Sequence, residues 1–190
     1  AYAASEKLAK VRGVCPAWEG SEHQKQERKM RNMTCLAIPP TGTRSMLADA
    51  SASCEPLFAL AYHRTILGSR EIMYVNKYFE KILKKKGLYS PDLLRQVARS
   101  GSIQNLTQIS KDVRDIFVTA QDIAPEWHIK MQATLQKYMD NAISKTINFP
   151  ATASIKDVEE SYMLAWKMKC KGITIYRDGS YEDQVITIGL

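Results

Sequence analysis

Apolar residues along the chain recur with two different periods, and the switches between them predict most of the elements. "MTCLAI" at 33–38 is a short continuous apolar run stopped by Pro39 and Pro40, which predicts a buried strand, because proline ends a ladder. "SMLADAS" then predicts the start of a helix, giving the order strand, tight loop, helix. "SREIMYVNKYFEKILKKKG" at 69–87 places Ile72, Val75, Phe79, Ile82 and Leu83 at helical spacing and ends on Gly87. It predicts one helix with a solvated, lysine-rich end that complements the helix dipole. "SPDLLRQVARSG" predicts a second helix, with Ser90 as N-cap, Pro91 at the first helical position and Gly101 past the end. "SKDVRDIFVTAQDI" predicts a third.

Later segments alternate in kind. "PEWHIKMQATLQKYMDNAI" at 125–143 opens with Pro125 and Glu126 and places Trp127, Met131, Leu135, Tyr138, Met139 and Ala142 on one face, a stripe read as core. "SKTINFP" at 144–150 predicts a β-branched strand whose polar members Ser144, Lys145, Thr146 and Asn148 face an interior. "SIKDVEESYMLAWKMKCKG" predicts a helix opened by a Ser154–Asp157 capping box, burying Ile155, Val158, Tyr162 and Trp166 and closing at Gly172. "ITIYR" predicts a strand, "DGS" a turn held by Tyr176, Arg177 and Asp178, and "QVITI" a last strand. Strands separated by helices predict an α/β architecture. Three good strands are too few for a large closed sheet.

Composition narrows the class. With 190 residues, 45 % of them apolar and 25 % charged, the chain is long enough and apolar enough to fold around a core. No apolar run approaches the length needed to span a bilayer, and "AYAASEKLAK" lacks the apolar stretch of a signal peptide, so a soluble, cytoplasmic protein is expected. Cys15, Cys35, Cys54 and Cys170 are scattered and read as four buried, reduced thiols; neither a zinc site nor a disulfide framework is signalled. The net charge of +7 suits anionic metabolites or nucleic acid. Nucleic acid ranks last, because the tryptophans fall on predicted apolar faces instead of interleaving with Lys and Arg on one surface.

Candidate chemistry concentrates at 41–45. Between a strand's carboxyl end and a helix's amino end, unpaired backbone N–H groups attract anions. Gly42 permits close approach, Thr41, Thr43 and Ser45 add hydroxyls, and Arg44 adds charge if turned inward. The same residue types also serve any ordinary turn. His128 is the candidate general base on the next-to-last helix, but no acidic or nucleophilic partner lies near it in sequence, so it reads as structural or surface. Glu55, close after this loop, reads as a structural cap for backbone donors, with contact to substrate as the alternative.

"IPPTGTRSMLADASASCEPLFALAY" closely resembles a segment of the catalytic subunit of adenosylcobalamin-dependent, class II, ribonucleotide reductases, in which a P-T-G-T-x-S loop precedes an E-P-x-F-A-L-x-Y stretch. "DIAPEWHIKMQATLQKYMDNAISKTINFP" and "AWKMKCKGITIYRDGS" resemble later blocks of that family, in the same order, so that the likeness covers nearly all of 29–182. It implies the C-terminal portion of a ten-stranded α/β barrel over 29–190, after an N-terminal helical and loop segment over 1–28. It implies that Thr41, Gly42, Thr43, Arg44 and Ser45 bind the phosphates of a ribonucleotide substrate. Arg44 stands where that family has an apolar residue, and Pro39 where it has a small one. The Asn-x-Cys-x-Glu motif that carries the radical cysteine does not occur here, so no catalytic residue is assigned. The implied setting is an oligomeric reductase for DNA synthesis. In it an N-terminal reductase segment or subunit supplies the radical chemistry and most of the adenosylcobalamin site, and a thiol system re-reduces the enzyme. The alternative is a non-catalytic nucleotide-binding or regulatory module derived from the same fold.

Overall fold

The computed structural model describes residues 1–66 and 70–180, without the side chains of Met46, 63–66 and 70–72. Helix α1 (Tyr2–Arg12) and the single turn α2 (Glu22–Lys25) precede an extended segment that leads into α3 (Gly42–Ala48). A hairpin of β1 (Ala61–Ile66) and β2 (Arg70–Val75) follows, paired antiparallel with Ala61 opposite Val75. Then come α4 (Lys77–Lys85), α5 (Pro91–Ser100), α6 (Lys111–Ile116), a short 3-10 turn at Ala120–Asp122 and α7 (Pro125–Gln136). Strand β3 (Thr146–Phe149) and β4 (Thr174–Arg177) pair in parallel with Thr146 opposite Thr174, joined through α8 (Ile155–Lys167). Parallel neighbours need such a crossover, because a tight turn cannot reverse the chain twice.

Two cores result. One joins Leu60 to Phe79 and Leu83 of α4, Leu94 and Val97 of α5, and Ile103, Ile109 and Phe117; the Phe79 and Phe117 rings meet edge to face at 5.3 Å. The other packs Ile129 of α7 and Ala165 of α8 against Ile147 and Phe149 of β3. Local signals explain the boundaries. The Asn76 side chain accepts from the Tyr78 and Phe79 amides to start α4. Ser90 caps α5, Pro91 opens it, and Gly101 closes it at φ 67, a left-handed conformation costly for other residues. Ser154 and Asp157 form the expected reciprocal box before α8.

Several expectations are corrected. Residues 33–38 are half-buried at most and pair with no strand among the described residues. Their carbonyls at Leu36 and Ile38 accept from the Asp140, Asn141 and Ser144 amides instead, so a loop takes the place of a partner strand. The single helix expected over 69–87 is a strand followed by a helix: "REIMYV" pairs with the "AYHRTI" strand, and the Asn76 cap divides the two. The third helix ends at Ile116, and its predicted continuation holds only the turn at Ala120–Asp122. The four cysteines are free but half-buried, not buried. The expected strand "QVITI" lies outside the described residues.

The largest correction concerns the outer helices. On α7 the buried positions are His128, Ile129, Gln132, Ala133 and Gln136, whereas Trp127 is 59 % exposed and Met131 and Tyr138 are also out. On α8 the inward face is Val158, Ser161, Ala165 and Met168, while Ile155, Tyr162 and Trp166 point outward, Trp166 with 72 % of its surface free. Small Ser161 and Ala165 let α8 approach closely, which large side chains at those positions would prevent. Two of the three tryptophans thus lie on exposed faces, contrary to their expected core role. Among the described residues no helix is long and apolar enough to cross a membrane.

Candidate functional site

The five residues singled out from the sequence sit at the start of α3 itself, since Gly42 already begins the helix. Thr41 immediately precedes it with φ 49, in the left-handed region that a β-branched side chain rarely adopts. The Thr41 carbonyl accepts from the Ser45 amide at 2.9 Å, closing the first turn, and the Ser45 hydroxyl donates to the Gly42 carbonyl at 2.6 Å. The Gly42, Thr43 and Arg44 amides are therefore at the helix positions that lack an intrahelical acceptor. Gly42, Thr43 and Arg44 are exposed and Thr41 and Ser45 half-buried. A Cβ at Gly42 would meet nothing within 4 Å, so the backbone there is open on that side.

Gly42 and Ser45 form part of the wall of a cavity of about 310 Å³. Ala52, Glu55 and Leu57 also line it, as do Tyr62 and Tyr74, whose ring centroids are 4.9 Å apart. Thr41, Thr43 and Arg44 do not line this cavity.

Behind it lies a cluster that sequence reading had as separate residues. The Lys145 side chain is only 1 % exposed, and its ammonium donates to Glu55 Oε2 at 2.6 Å, to His128 Nδ1 at 2.8 Å and to the Thr146 carbonyl at 2.5 Å. All three N–H bonds of the ammonium are used. Glu55 Oε1 accepts from the Thr146 amide at 2.6 Å, so the carboxylate does cap a backbone donor, as expected, and also pairs with a cation. His128 is buried, and burial first, then the Lys145 charge, pushes its pKa below the ordinary value, keeping the imidazole neutral near pH 7. With Nδ1 accepting from Lys145, the ring proton resides on Nε2 and is donated to the Ala120 carbonyl at 3.2 Å. His128 thus has partners on both nitrogens, which sequence proximity had not revealed.

The approach to the α3 turn is anchored by Asp140. Its Oδ2 accepts from the Cys35 amide at 2.6 Å and the Leu36 amide at 3.0 Å, and Oδ1 accepts from the Tyr2 hydroxyl. Burial acts to raise this carboxyl, but the Tyr2 hydroxyl and the two amides outweigh it and hold its pKa below the usual value.

Comparison with known proteins gives a consistent picture. The family described as "Ribonucleotide reductase, barrel domain" matches residues 26–176. A vitamin B12-dependent ribonucleoside-diphosphate reductase of Thermoplasma acidophilum is 48 % identical over 188 residues, 99 % of this chain and 24 % of that protein. One of the same name from Mycobacterium tuberculosis is 41 % identical over 187 residues, 98 % of this chain and 27 % of that protein. Among solved structures, the Actinobacillus ureae class Id ribonucleotide reductase alpha subunit superposes with a TM-score of 0.73 at 26 % identity, over 94 % of this chain and 31 % of that one. The chain spans about a quarter of the length of these curated relatives. The chain belongs to the ribonucleotide reductase family, residues 26–176 matching its barrel domain.

Proposed function

We propose that this chain is part of a vitamin B12-dependent ribonucleotide reductase, which converts ribonucleotides to deoxyribonucleotides for DNA synthesis, and that Thr41, Gly42, Thr43, Arg44 and Ser45 seat the substrate's phosphates. One observation carries the reading. The left-handed Thr41 turns the chain so that the unpaired amides of the first α3 turn, with the open backbone of Gly42, are presented at the surface beside a cavity. Amides so directed, with nearby hydroxyls, stabilise a phosphate by charge-assisted hydrogen bonds. Ser45 Oγ currently gives its proton to the Gly42 carbonyl, so it contributes a donor to phosphate only by turning away from that carbonyl.

The described strands, grouped as two separate pairs, and the exposed apolar faces of α7 and α8 support residues 29–190 as the C-terminal portion of a ten-stranded barrel, the remainder of which packs on those faces. Residues 1–28 form the preceding helical and loop segment. The relatives' names, vitamin B12-dependent reductases, point to adenosylcobalamin as the cofactor. The imidazoles of His23 and His128 are turned onto the Met33 and Ala120 carbonyls. In this reading the cofactor and the radical cysteine are held by other parts of the enzyme. This chain's own task is to bind and orient the nucleotide's anionic end while those parts act on the ribose.

The test is the Thr41→Ala/Thr43→Ala/Ser45→Ala variant in the assembled reductase. Loss of one hydrogen bond to a charged group costs about 1.5–3 kcal/mol, so the ribonucleotide KM rises tenfold or more. An unchanged KM removes the assignment. Nucleotide binding without turnover in the complete assembly favours a regulatory module instead.

A further inference from the structure

Glu55, Pro56 and Leu57 are held at both ends by one closed ring of hydrogen bonds. Starting from the Glu55 carboxylate, the ring passes to the Lys145 ammonium at 2.6 Å and on to His128 Nδ1 at 2.8 Å. From His128 Nε2 it continues to the Ala120 carbonyl at 3.2 Å, and from the Ala120 amide back to the Leu57 carbonyl at 2.8 Å. A second tie, from the Thr146 amide to Glu55 Oε1 at 2.6 Å, fixes the carboxylate's rotation. The clamped tripeptide lines the same cavity as Gly42 and Ser45.

We propose that Lys145, acting through Glu55 and His128, is a positioning residue that sets the Glu55–Leu57 wall at a fixed distance from the α3 turn and so shapes the space beside the bound phosphate. This rests on the reading of 41–45 as the phosphate seat. A buried ammonium is an expensive way to hold a wall, because ion pairs out of water roughly break even against apolar residues of similar size. What the ion pair supplies and an apolar contact does not is direction: three donors on one nitrogen, each with its own acceptor, permit a single placement of the carboxylate. His128 is the necessary third partner; burial first and the same cation second keep it neutral, and a protonated ring would lose its acceptor and face Lys145 with like charge. The other charged groups lining this cavity, Asp49 and Glu55 itself, are both acidic, and Asp49 is engaged by Lys77.

The test uses the assembled reductase with Lys145→Met and Glu55→Met/Lys145→Met. Four quantities are measured: thermal midpoint, KM and kcat for the ribonucleotide, and the alkylation rate of half-buried Cys54, which adjoins Glu55 and is followed by peptide mass spectrometry. Lys145→Met is expected to speed Cys54 alkylation and raise KM, each about tenfold, with kcat changed less than about threefold, as for a lost binding interaction. The double variant, which leaves no unpaired charge, regains the thermal midpoint but keeps the raised KM and fast alkylation. If KM and alkylation return with the midpoint in the double variant, Lys145 is only structural and the proposal falls. It falls equally if Lys145→Met leaves Cys54 alkylation unchanged. Should Lys145→Met not fold, the double variant alone decides between these outcomes. Cys54 reports on the wall without nucleotide, so failure of the clamp is distinct from failure of the phosphate seat, which the α3 triple variant detects by itself.

Discussion

Asp140→Ala removes the anchor of the extended segment that delivers the chain to Thr41. The wild-type carboxylate accepts two backbone amides, Cys35 and Leu36, and the Tyr2 hydroxyl. A hydrogen bond to a charged acceptor is worth about 1.5–3 kcal/mol, but these three share one half-exposed carboxylate and do not add, so the expected cost is about 2–4 kcal/mol. Asp140→Asn keeps one acceptor oxygen and costs about half as much. The pH dependence follows from the depressed folded pKa. Such a group stabilises the fold above its unfolded value of about 3.9, and the contribution is lost as pH falls through the lower folded value. Urea unfolding of the 190-residue chain at pH 6 and at pH 3 therefore shows a full gap between wild type and Asp140→Asn at the higher pH and a smaller gap at the lower. A cost below about 0.5 kcal/mol for Asp140→Ala, the scatter of ordinary surface substitutions, or a gap that is the same at both pH values, refutes the reasoning.

Two further outcomes are expected. Ser154→Ala removes the acceptor for the Asp157 amide at the start of α8 and lowers stability by about 1 kcal/mol, measured by urea unfolding; no change would mean the box is dispensable. Trp166→Gln changes the stability of the isolated chain by less than about 0.5 kcal/mol because the ring is exposed, and, on the proposal that the rest of a barrel packs on α8, impairs the complete reductase. A large loss in the isolated chain would return Trp166 to the core.

Short-range chemistry was readable from the residues alone. Caps such as Ser90 with Pro91, or Ser154 with Asp157, depend on groups three residues apart, and α5 and α8 begin where those signals place them. Helix faces were misread where the apolar stripe is not the face turned to this chain. Trp127 and Trp166 carry the periodicity of a core, but small Ala133, Ser161 and Ala165 occupy the contacts, and hydrophobicity does not say which surface a helix will cover. The hairpin strand "REIMYV" was hidden because its apolar residues continue in helical register into α4, and only pairing with a distant segment selects the strand. The α3 turn was legible through its residue types. The Glu55–Lys145–His128 cluster was not, since its members are up to 90 positions apart. Lys145 nonetheless left one trace: it shares the alternation of Ile147 and Phe149, and a lysine on a buried face requires a carboxylate.

The phosphate seat is tested most directly by a structure of the assembled reductase with a ribonucleotide bound. The expected result is a phosphate oxygen about 3 Å from amides or hydroxyls of residues 41–45, with Ser45 Oγ turned away from the Gly42 carbonyl. Phosphates bound elsewhere, with this turn left facing solvent, would contradict the account.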